Sequence, residues 1–325
     1  MENQRRWDGL SFLKLLACIV VILLHCPLPG LIGDAVIYGL RFSVPCFFMI
    51  SGYFAFGRPE AWLRKKLVQT IRTTVIVEAL YAVWHVIHDL ATASPVSLLN
   101  DLSPLTIVKK LLFGTFVNGT MWYMYALIYT WLILWLLTRR GAVRAAYRAI
   151  IPLLLVQIFG RYYVQNHFDI EKFVFLFCSA PLFGLPFVLL GHWVRAHETR
   201  LLARMTLVRC VLLALLSGVL IAAEYVLSGQ YMDLHVSSVV LSVALLLGAL
   251  NCPEMPGWMQ PAVWAGRELS GMTYFAHAFV ISLVELVLPA VQGTILHPLL
   301  GVVLSFALAW VISAAAAALR QHRAA

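Results

Sequence analysis

Long apolar segments recur along this chain, separated by short polar intervals. A run of about 17–25 apolar residues is long enough to cross roughly 30 Å of hydrocarbon as a helix. Such runs lie near residues 9–28, 36–56, 69–91, 121–138, 148–164, 173–194, 205–228, 234–251, 269–289 and 294–317. The pattern predicts an all-α polytopic membrane protein with about ten transmembrane helices.

The composition supports the same fold class. Hydrophobic residues make up 62% of the chain and charged residues 12%, whereas an ordinary soluble protein has about a quarter charged residues. The intervals between the apolar runs are too short for a second soluble domain, so we expect residues 1–325 to form a single integral membrane domain. The cysteines lack CxxC spacing and mostly lie within apolar runs, which is typical of core residues rather than of a disulfide or metal framework.

The positions of the charges predict the orientation of the chain. Most cations fall in alternate intervals, which carry Arg5, Arg6, Arg58, Arg64, Lys65, Lys66, Arg139, Arg140, Arg144, Arg148, Arg195, Arg200, Arg204, Arg209, Arg267, Arg320 and Arg323. The opposite intervals carry Lys109, Lys110, Arg161 and Lys172. The positive-inside rule then places both termini in the cytoplasm. We therefore expect a multi-pass plasma membrane protein without a cleaved signal peptide, whose net charge of +9 orients it and indicates no nucleic-acid partner.

Two ionisable residues lie in the first apolar segment. Lys14 and His25 are eleven residues apart, which on a helix is three turns plus about 20° and ~16 Å along the axis. Ionisable groups cost several kcal/mol in hydrocarbon unless they face protein or water, so we expect both on one polar interior face. His25 is a candidate general base or nucleophile. The alternatives are a histidine hydrogen-bonded between helices and a lysine that snorkels to the interface.

Further candidates flank the next segments. Arg64, Lys65 and Lys66 lead into the third segment, and Arg72 lies about one turn inside it. These cations form either a phosphate-binding patch or an interfacial anchor. Arg41 lies near the outer end of the second segment, where it could orient a bound substrate or anchor the chain in the lipid headgroups. Glu78, six residues beyond Arg72, is a candidate partner of Lys14 or His25, although a structural ion pair explains it equally well. Trp122 and Tyr123 open the fourth segment at the outer interface, where aromatic belts are common.

Several motifs together resemble a known family. They are the Lys14-x10-His25 spacing, the stretch from Arg41 to Phe54, the basic Leu63–Leu67, and the segments Met121–Leu127, Phe183–Gly191 and Ser270–His277. Over most of the chain this set resembles the acyltransferase 3 family, and within it the membrane half of the membrane-bound serine racemases of vancomycin resistance. Lys14 stands where the family usually has Arg, and Leu127 stands where glycan-modifying members have Glu. The racemase branch continues into a pyridoxal-dependent soluble domain, and since this sequence ends at Ala325 we expect no racemase activity.

The resemblance implies a ten-helix enzyme that uses acyl-CoA as co-substrate, with no permanently bound cofactor and no metal. It would move an acyl group, usually acetyl, from cytoplasmic acyl-CoA to a hydroxyl or amine of an envelope glycan or a small-molecule acceptor. His25 would then be the general base, and His277 and Glu78 would be further catalytic candidates. Lys14 would steady the thioester end of the donor or the charge that develops on its carbonyl. Substrate binding would fall to Arg41, Arg64, Lys65, Lys66, Arg72, Trp122 and Tyr123.

A transporter is the main alternative, because the racemase branch has a membrane domain thought to move serine. A carrier of a small amino acid also needs ionisable residues around a midplane site. The basic stretch before the third segment favours the enzyme, since a CoA donor needs several cations for its phosphates. A purely structural membrane partner would leave Lys14 and His25 unexplained.

Overall fold

The computed structural model describes residues 7–95, 103–114, 117–169, 173–228 and 234–324. Every regular element within these residues is helical, which confirms the all-α fold class. The α-helices are α1 (Asp8–His25), α2 (Gly30–Gly39), α3 (Ser43–Ala55), α4 (Glu60–Ala91), α5 (Pro104–Phe113), α6 (Trp122–Arg139), α7 (Val143–Ala146), α8 (Ile150–Leu155), α9 (Arg161–His167), α10 (Val174–Phe177), α11 (Leu185–Ala196), α12 (Glu198–Arg204), α13 (Leu207–Ser228), α14 (Val236–Leu250), α15 (Gln260–Trp264), α16 (Ser270–Val287) and α17 (Leu296–Ala324). Arg5, Arg6 and Lys172 of the charge pattern lie outside the described residues.

Eight helical stretches in the described part of the chain are long and apolar enough to cross a membrane. Two of the ten predicted segments are shorter than a typical span. Helix α14 has 15 residues, and the 173–194 segment is divided around Ser179, whose backbone is extended. Pro181 lies in the first turn after this break, a position that suits proline because the first helical N–H groups have no partner within the helix. The polytopic membrane class is confirmed, whereas ten spans and the orientation of the termini stay predictions.

Helix α4 begins nine residues before the predicted start at residue 69. Pro59 precedes it with extended backbone, and Glu60 occupies the first turn, where a carboxylate is favourable near the positive end of the helix dipole. Lysine and arginine are good helix formers. Hydropathy therefore marks where the apolar face begins, while the helix itself includes the basic stretch before it.

The second predicted segment, 36–56, is broken into α2 and α3. Leu40 ends α2 with non-helical backbone, and Pro45 follows within the first turn of α3. Part of the predicted loop between residues 91 and 120 is also helical, because Ser103 caps α5 by accepting from the Thr106 N–H at 3.3 Å. Gly114 ends α5 with a left-handed φ of 72°, as glycine commonly does.

The described chain forms two compact units. The first contains residues up to Phe47 together with Thr199 onwards, and the second runs from Phe48 to Glu198.

In the second unit, α3 and α11 cross with their backbones in contact. A Cβ on Gly52 would lie 1.9 Å from the Val188 carbonyl oxygen, and one on Gly191 would lie 1.9 Å from that of Met49. The absence of a side chain at Gly52 and Gly191 is therefore what permits the close approach of the two helices. Beside the crossing, the buried Tyr53 hydroxyl donates to Glu198 at 2.9 Å and accepts from Arg195 at 3.0 Å.

In the first unit, α1 packs against α14, α16 and α17. Its N-terminus is fixed by the Asp8 carboxylate, which accepts from the Met255 N–H at 3.1 Å and from the Gln260 amide at 2.9 Å. A Cβ on Gly9 would meet the Ala249 carbonyl oxygen at 2.1 Å. These contacts hold α1 as a rigid rod that carries both Lys14 and His25.

Candidate functional site

The first unit brings two histidines together. His25 is the last residue of α1 and is exposed, and His277 lies on α16 with no solvent exposure. Their ring centroids are 5.2 Å apart. His277 was a candidate from its place in the Ser270–His277 motif, and the structure places it beside the candidate base.

Two close contacts fix α1 against the start of α16. A Cβ on Gly266, in the π-helical turn Ala265–Leu269, would lie 1.8 Å from the Ser11 carbonyl oxygen, so the two backbones touch. About two turns further along α1, the Cys18 thiol donates to the Ser270 carbonyl at 3.2 Å. The two histidines are therefore set by packed helices rather than by loops, which favours a precise geometry.

Lys14 lies two turns into α1 and is half-buried. It interacts electrostatically with Arg267 and Glu268 of the same π-helical turn. Because α1 is unbroken from Asp8 to His25, the predicted separation of ~16 Å along the axis applies to its backbone. Side chains on a helix tilt towards its N-terminus, so the Lys14 ammonium extends away from His25.

Arg41, between α2 and α3, is half-buried, and its Nε donates to the Ile37 carbonyl at 2.8 Å. Its guanidinium interacts electrostatically with both His25 and His235. His235 is buried at the start of α14, and its Nδ1 lies 3.3 Å from a carboxylate oxygen of Glu224. Sequence reasoning missed His235, because a histidine just before a helix carries no distinctive pattern.

Several buried polar atoms in the first unit have no hydrogen-bond partner among the described residues. Among them are Ser43 Oγ, His235 Nε2, Thr273 Oγ1 and His277 Nε2. Buried polar groups are nearly always hydrogen-bonded. Of these atoms, His277 Nε2 belongs to the ring that lies next to His25, so an unpartnered polar atom is present at this histidine pair.

The second unit carries the cations of α4. Arg64, Lys65, Lys66 and Arg72 line an open groove of about 1040 Å³ along the first turns of this helix. The structure separates them into two sets. Arg64, Lys65 and Arg72 are exposed, whereas Lys66 is half-buried over the Trp62 ring, 5.5 Å from its centroid.

Arg58 lies over the same indole at 5.6 Å, so two cations lie close to one ring. Lys66 lies four residues after Trp62 on α4, the spacing of helical neighbours, whereas Arg58 precedes the helix. A second tryptophan, Trp131 of α6, packs edge-on against Trp62 at 6.0 Å. We name Arg58, Trp62 and Lys66 the tryptophan edge of the groove.

The remaining candidates lie in the packed interior of the second unit. Glu78 is buried, and its carboxylate lies beside the Tyr125 hydroxyl and the backbone at Val117 and Asn118. Its pairing with Lys14 or His25 stays a prediction. Trp122 packs edge-on against Phe183 at 5.5 Å. Tyr123 is buried with its ring 4.6 Å from that of Phe48, so both aromatic residues have packing roles.

Among the described residues there is no group of three or more His, Cys, Asp or Glu side chains placed to hold a metal ion. The His25 end of α1 carries imidazole and guanidinium groups, from His25, His277 and Arg41, and imidazole is suited to proton transfer.

Comparison with known proteins identifies the family. The family model described as an acyltransferase domain, of the acyltransferase 3 type, matches residues 7–314. Comparison with curated proteins and with solved structures gave no match. The match covers most of α1 to α17, including both histidines and the cations of α4. The chain therefore belongs to the acyltransferase 3 family of membrane proteins.

Proposed function

We propose that this protein transfers an acyl group from cytoplasmic acyl-CoA to a hydroxyl or amine of an envelope glycan or small acceptor, with His25 as the general base. The observation that carries the proposal is the pair of His25 and His277 at the exposed end of α1. An exposed base is accessible to an acceptor, and a buried neighbour can fix its orientation.

The hydrogen-bond partner of His277 determines how it acts. Its Nδ1 lies 2.6 Å from the Tyr274 carbonyl oxygen, and since a carbonyl can only accept, Nδ1 of a neutral ring carries the hydrogen. Nε2 then has a lone pair and has no partner among the described residues. A small rotation of the exposed His25 side chain allows its N–H to donate to this atom, and catalytic hydrogen bonds often tighten in this way on substrate binding.

That hydrogen bond would fix the tautomer of His25 and leave its other nitrogen as the base. This nitrogen takes the proton from the acceptor hydroxyl while the oxygen forms a bond to the thioester carbonyl carbon. The C–S bond then breaks, the sulfur of CoA receives the proton from His25, and the ester and free CoA leave. His277 is on this account a positioning residue and not a second catalytic acid.

The distance along α1 favours one of the two roles predicted for Lys14. Its backbone lies ~16 Å from that of His25 along α1, and its side chain extends the other way. A lysine side chain is too short to stabilise an oxyanion formed beside His25. We therefore assign Lys14 to the donor, where its ammonium can hold a polar group of the CoA arm.

We assign the phosphates and the adenine of the donor to the tryptophan edge of the groove. Two cations over one indole combine charge with an aromatic surface, which suits a nucleotide that carries phosphates. For the acceptor we propose Arg41, because its guanidinium interacts with His25 and can orient a hydroxyl-rich or anionic molecule by hydrogen bonds.

The proposal is tested by mass spectrometry of envelope material from cells that express the wild-type protein, His25→Ala or His167→Ala. His167 is an exposed histidine of α9 and serves as the matched control. We expect ester-linked acyl groups, released by mild base, with the wild type and with His167→Ala. The His25→Ala protein should lose the product by about 10²- to 10⁴-fold, the usual contribution of a general base. Normal ester formation by His25→Ala at equal membrane abundance would overturn the assignment.

A further inference from the structure

One face of α4 carries exposed cations at one end and exposed apolar residues along the rest. At about 100° per residue, Lys65 and Arg72 differ in direction by only ~20°, and Arg64 lies ~80° from Arg72. All three side chains are exposed. They therefore form one positively charged surface and not a ring around the helix.

The same face continues as an apolar stripe. Val68, Val75, Val83 and Leu90 are 57%, 63%, 59% and 68% exposed. By helical geometry each of them points within about 60° of the direction of Arg72. We name these four residues, together with Arg64, Lys65 and Arg72, the α4 lipid face.

The lengths along α4 match the layers of a bilayer. From Arg72 to Leu90 the helix rises about 27 Å, close to the ~30 Å of a hydrocarbon core. From Arg64 to Arg72 it rises another 12 Å or so, which reaches through a headgroup layer. The guanidinium of Arg72 would thus lie at the edge of the hydrocarbon, with Lys65 and Arg64 among the headgroups.

Glu60 lies one turn before Arg64 and about 40° from its direction, but no carboxylate of α4 points towards Lys65 or Arg72. The acidic residues of the helix are Glu60, Glu78 and Asp89, and each points about 100–120° away from Arg72. Glu78 and Asp89 are buried, and Glu60 accepts from the Trp135 indole N–H at 2.9 Å. A ligand that fits the face must therefore be anionic at one end and apolar beyond it.

We propose that the α4 lipid face binds an anionic phospholipid. Arg64, Lys65 and Arg72 hold its headgroup phosphate, and an acyl chain lies along the valines to Leu90. Arg64, Lys65 and Arg72, which were predicted to bind the CoA donor, are thus assigned to the membrane lipid instead. The tryptophan edge, which points to another side of α4, remains for CoA. The proposal does not depend on His25 or on acyl transfer.

The experiment uses the purified full-length protein in neutral detergent, titrated with phosphatidylglycerol or with phosphatidylcholine and observed by native mass spectrometry. CoA binding is measured on the same samples. The test variant is Arg64→Gln/Lys65→Gln/Arg72→Gln, and the control removes three exposed cations elsewhere, Arg140→Gln/Arg200→Gln/Arg204→Gln. Arg72→Gln alone replaces the triple variant if the latter is poorly folded.

We expect the wild type and the control to prefer phosphatidylglycerol. Each cation near an anionic headgroup strengthens binding about fivefold, so the triple variant should lose roughly a hundredfold, while its CoA affinity is unchanged. Retained preference in the triple variant, or no preference in the wild type, overturns the proposal. Joint loss of phosphatidylglycerol and CoA binding also overturns it, because the cations would then form one phosphate site for the donor. A wild type that binds phosphatidylglycerol but not CoA would contradict the proposed function and leave this inference standing.

Discussion

Replacement of His277 tests the proposed orientation of His25. The structure gives His277 one described polar neighbour besides His25, the Tyr274 carbonyl, and no access to solvent. His277→Ala removes the acceptor that we propose for the His25 N–H, but it leaves His25 itself in place. Partners that orient metal-ligating histidines typically contribute 10- to 100-fold, and the same factor at His25 would correspond to about 1.4–2.7 kcal/mol of activation free energy. We therefore expect a loss of this size, smaller than that of His25→Ala.

The assay is the rate of ester accumulation in the envelope, normalised to the amount of protein in the membrane. Two further variants separate orientation from a structural effect. His277→Gln keeps a hydrogen-bond acceptor of similar reach, so it should recover part of the activity. The double variant His25→Ala/His277→Ala should be no less active than His25→Ala, since His277 acts only through His25 and the two losses are not additive.

Full activity of His277→Ala would refute the orientation by His277. Additive losses in the double variant would refute it as well, because His277 would then contribute independently of His25. Thermal unfolding is measured for each variant, so that a loss of activity that merely follows a loss of stability is recognised.

Three other expected outcomes follow from the geometry. Gly191→Val should lower the unfolding temperature, and its overpacking should cost at least about 1–3 kcal/mol, because even a Cβ would lie 1.9 Å from the Met49 carbonyl oxygen. The control is Gly257→Val, at an exposed position of the first unit where a Cβ meets nothing. Equal unfolding temperatures of the two variants would contradict the reasoning. Tyr53→Phe removes a hydrogen bond to the buried Glu198 carboxylate, which also accepts from Arg195, and should cost about 1.5–3 kcal/mol in unfolding free energy. An unchanged stability would show that Arg195 alone satisfies Glu198. Lys14→Ala should raise the KM for acetyl-CoA with little change in kcat, and Lys14→Arg should restore it; a fall in kcat alone would place Lys14 at the reacting carbonyl instead.

The sequence predicted the fold class because membrane spans follow directly from hydrophobic length. The start of α4 was placed nine residues late because hydropathy responds to the polarity of side chains, whereas a helix continues wherever its backbone hydrogen bonds are made. The break between α10 and α11 at Ser179 was missed for a related reason, since the surrounding residues remain apolar. Pro181 was the available signal, because proline favours the first turn of a helix and disfavours its interior.

The candidate site was predicted in part. The spacing of Lys14 and His25 could be interpreted because both lie on one helix with a fixed rise per residue. The neighbours of His25 come from distant parts of the chain, and helical periodicity within one segment gives no information about which segments pack together. His277 was reached through the family motif alone, and His235 was not reached at all.

The position of His25 at the end of α1 explains how one residue can be both exposed and well oriented. The α1 backbone contacts Cys252 and the π-helical turn that contains Gly266, and the Cys18 thiol binds the Ser270 carbonyl, so the helix is held from its first turn past its midpoint. The exposed end needs no loop to carry the histidine, because the rigid helix determines where it lies. Gly9 and Gly266 support the proposed function indirectly, because they allow the backbones to touch. A side chain at either position would displace the helix that carries the proposed base.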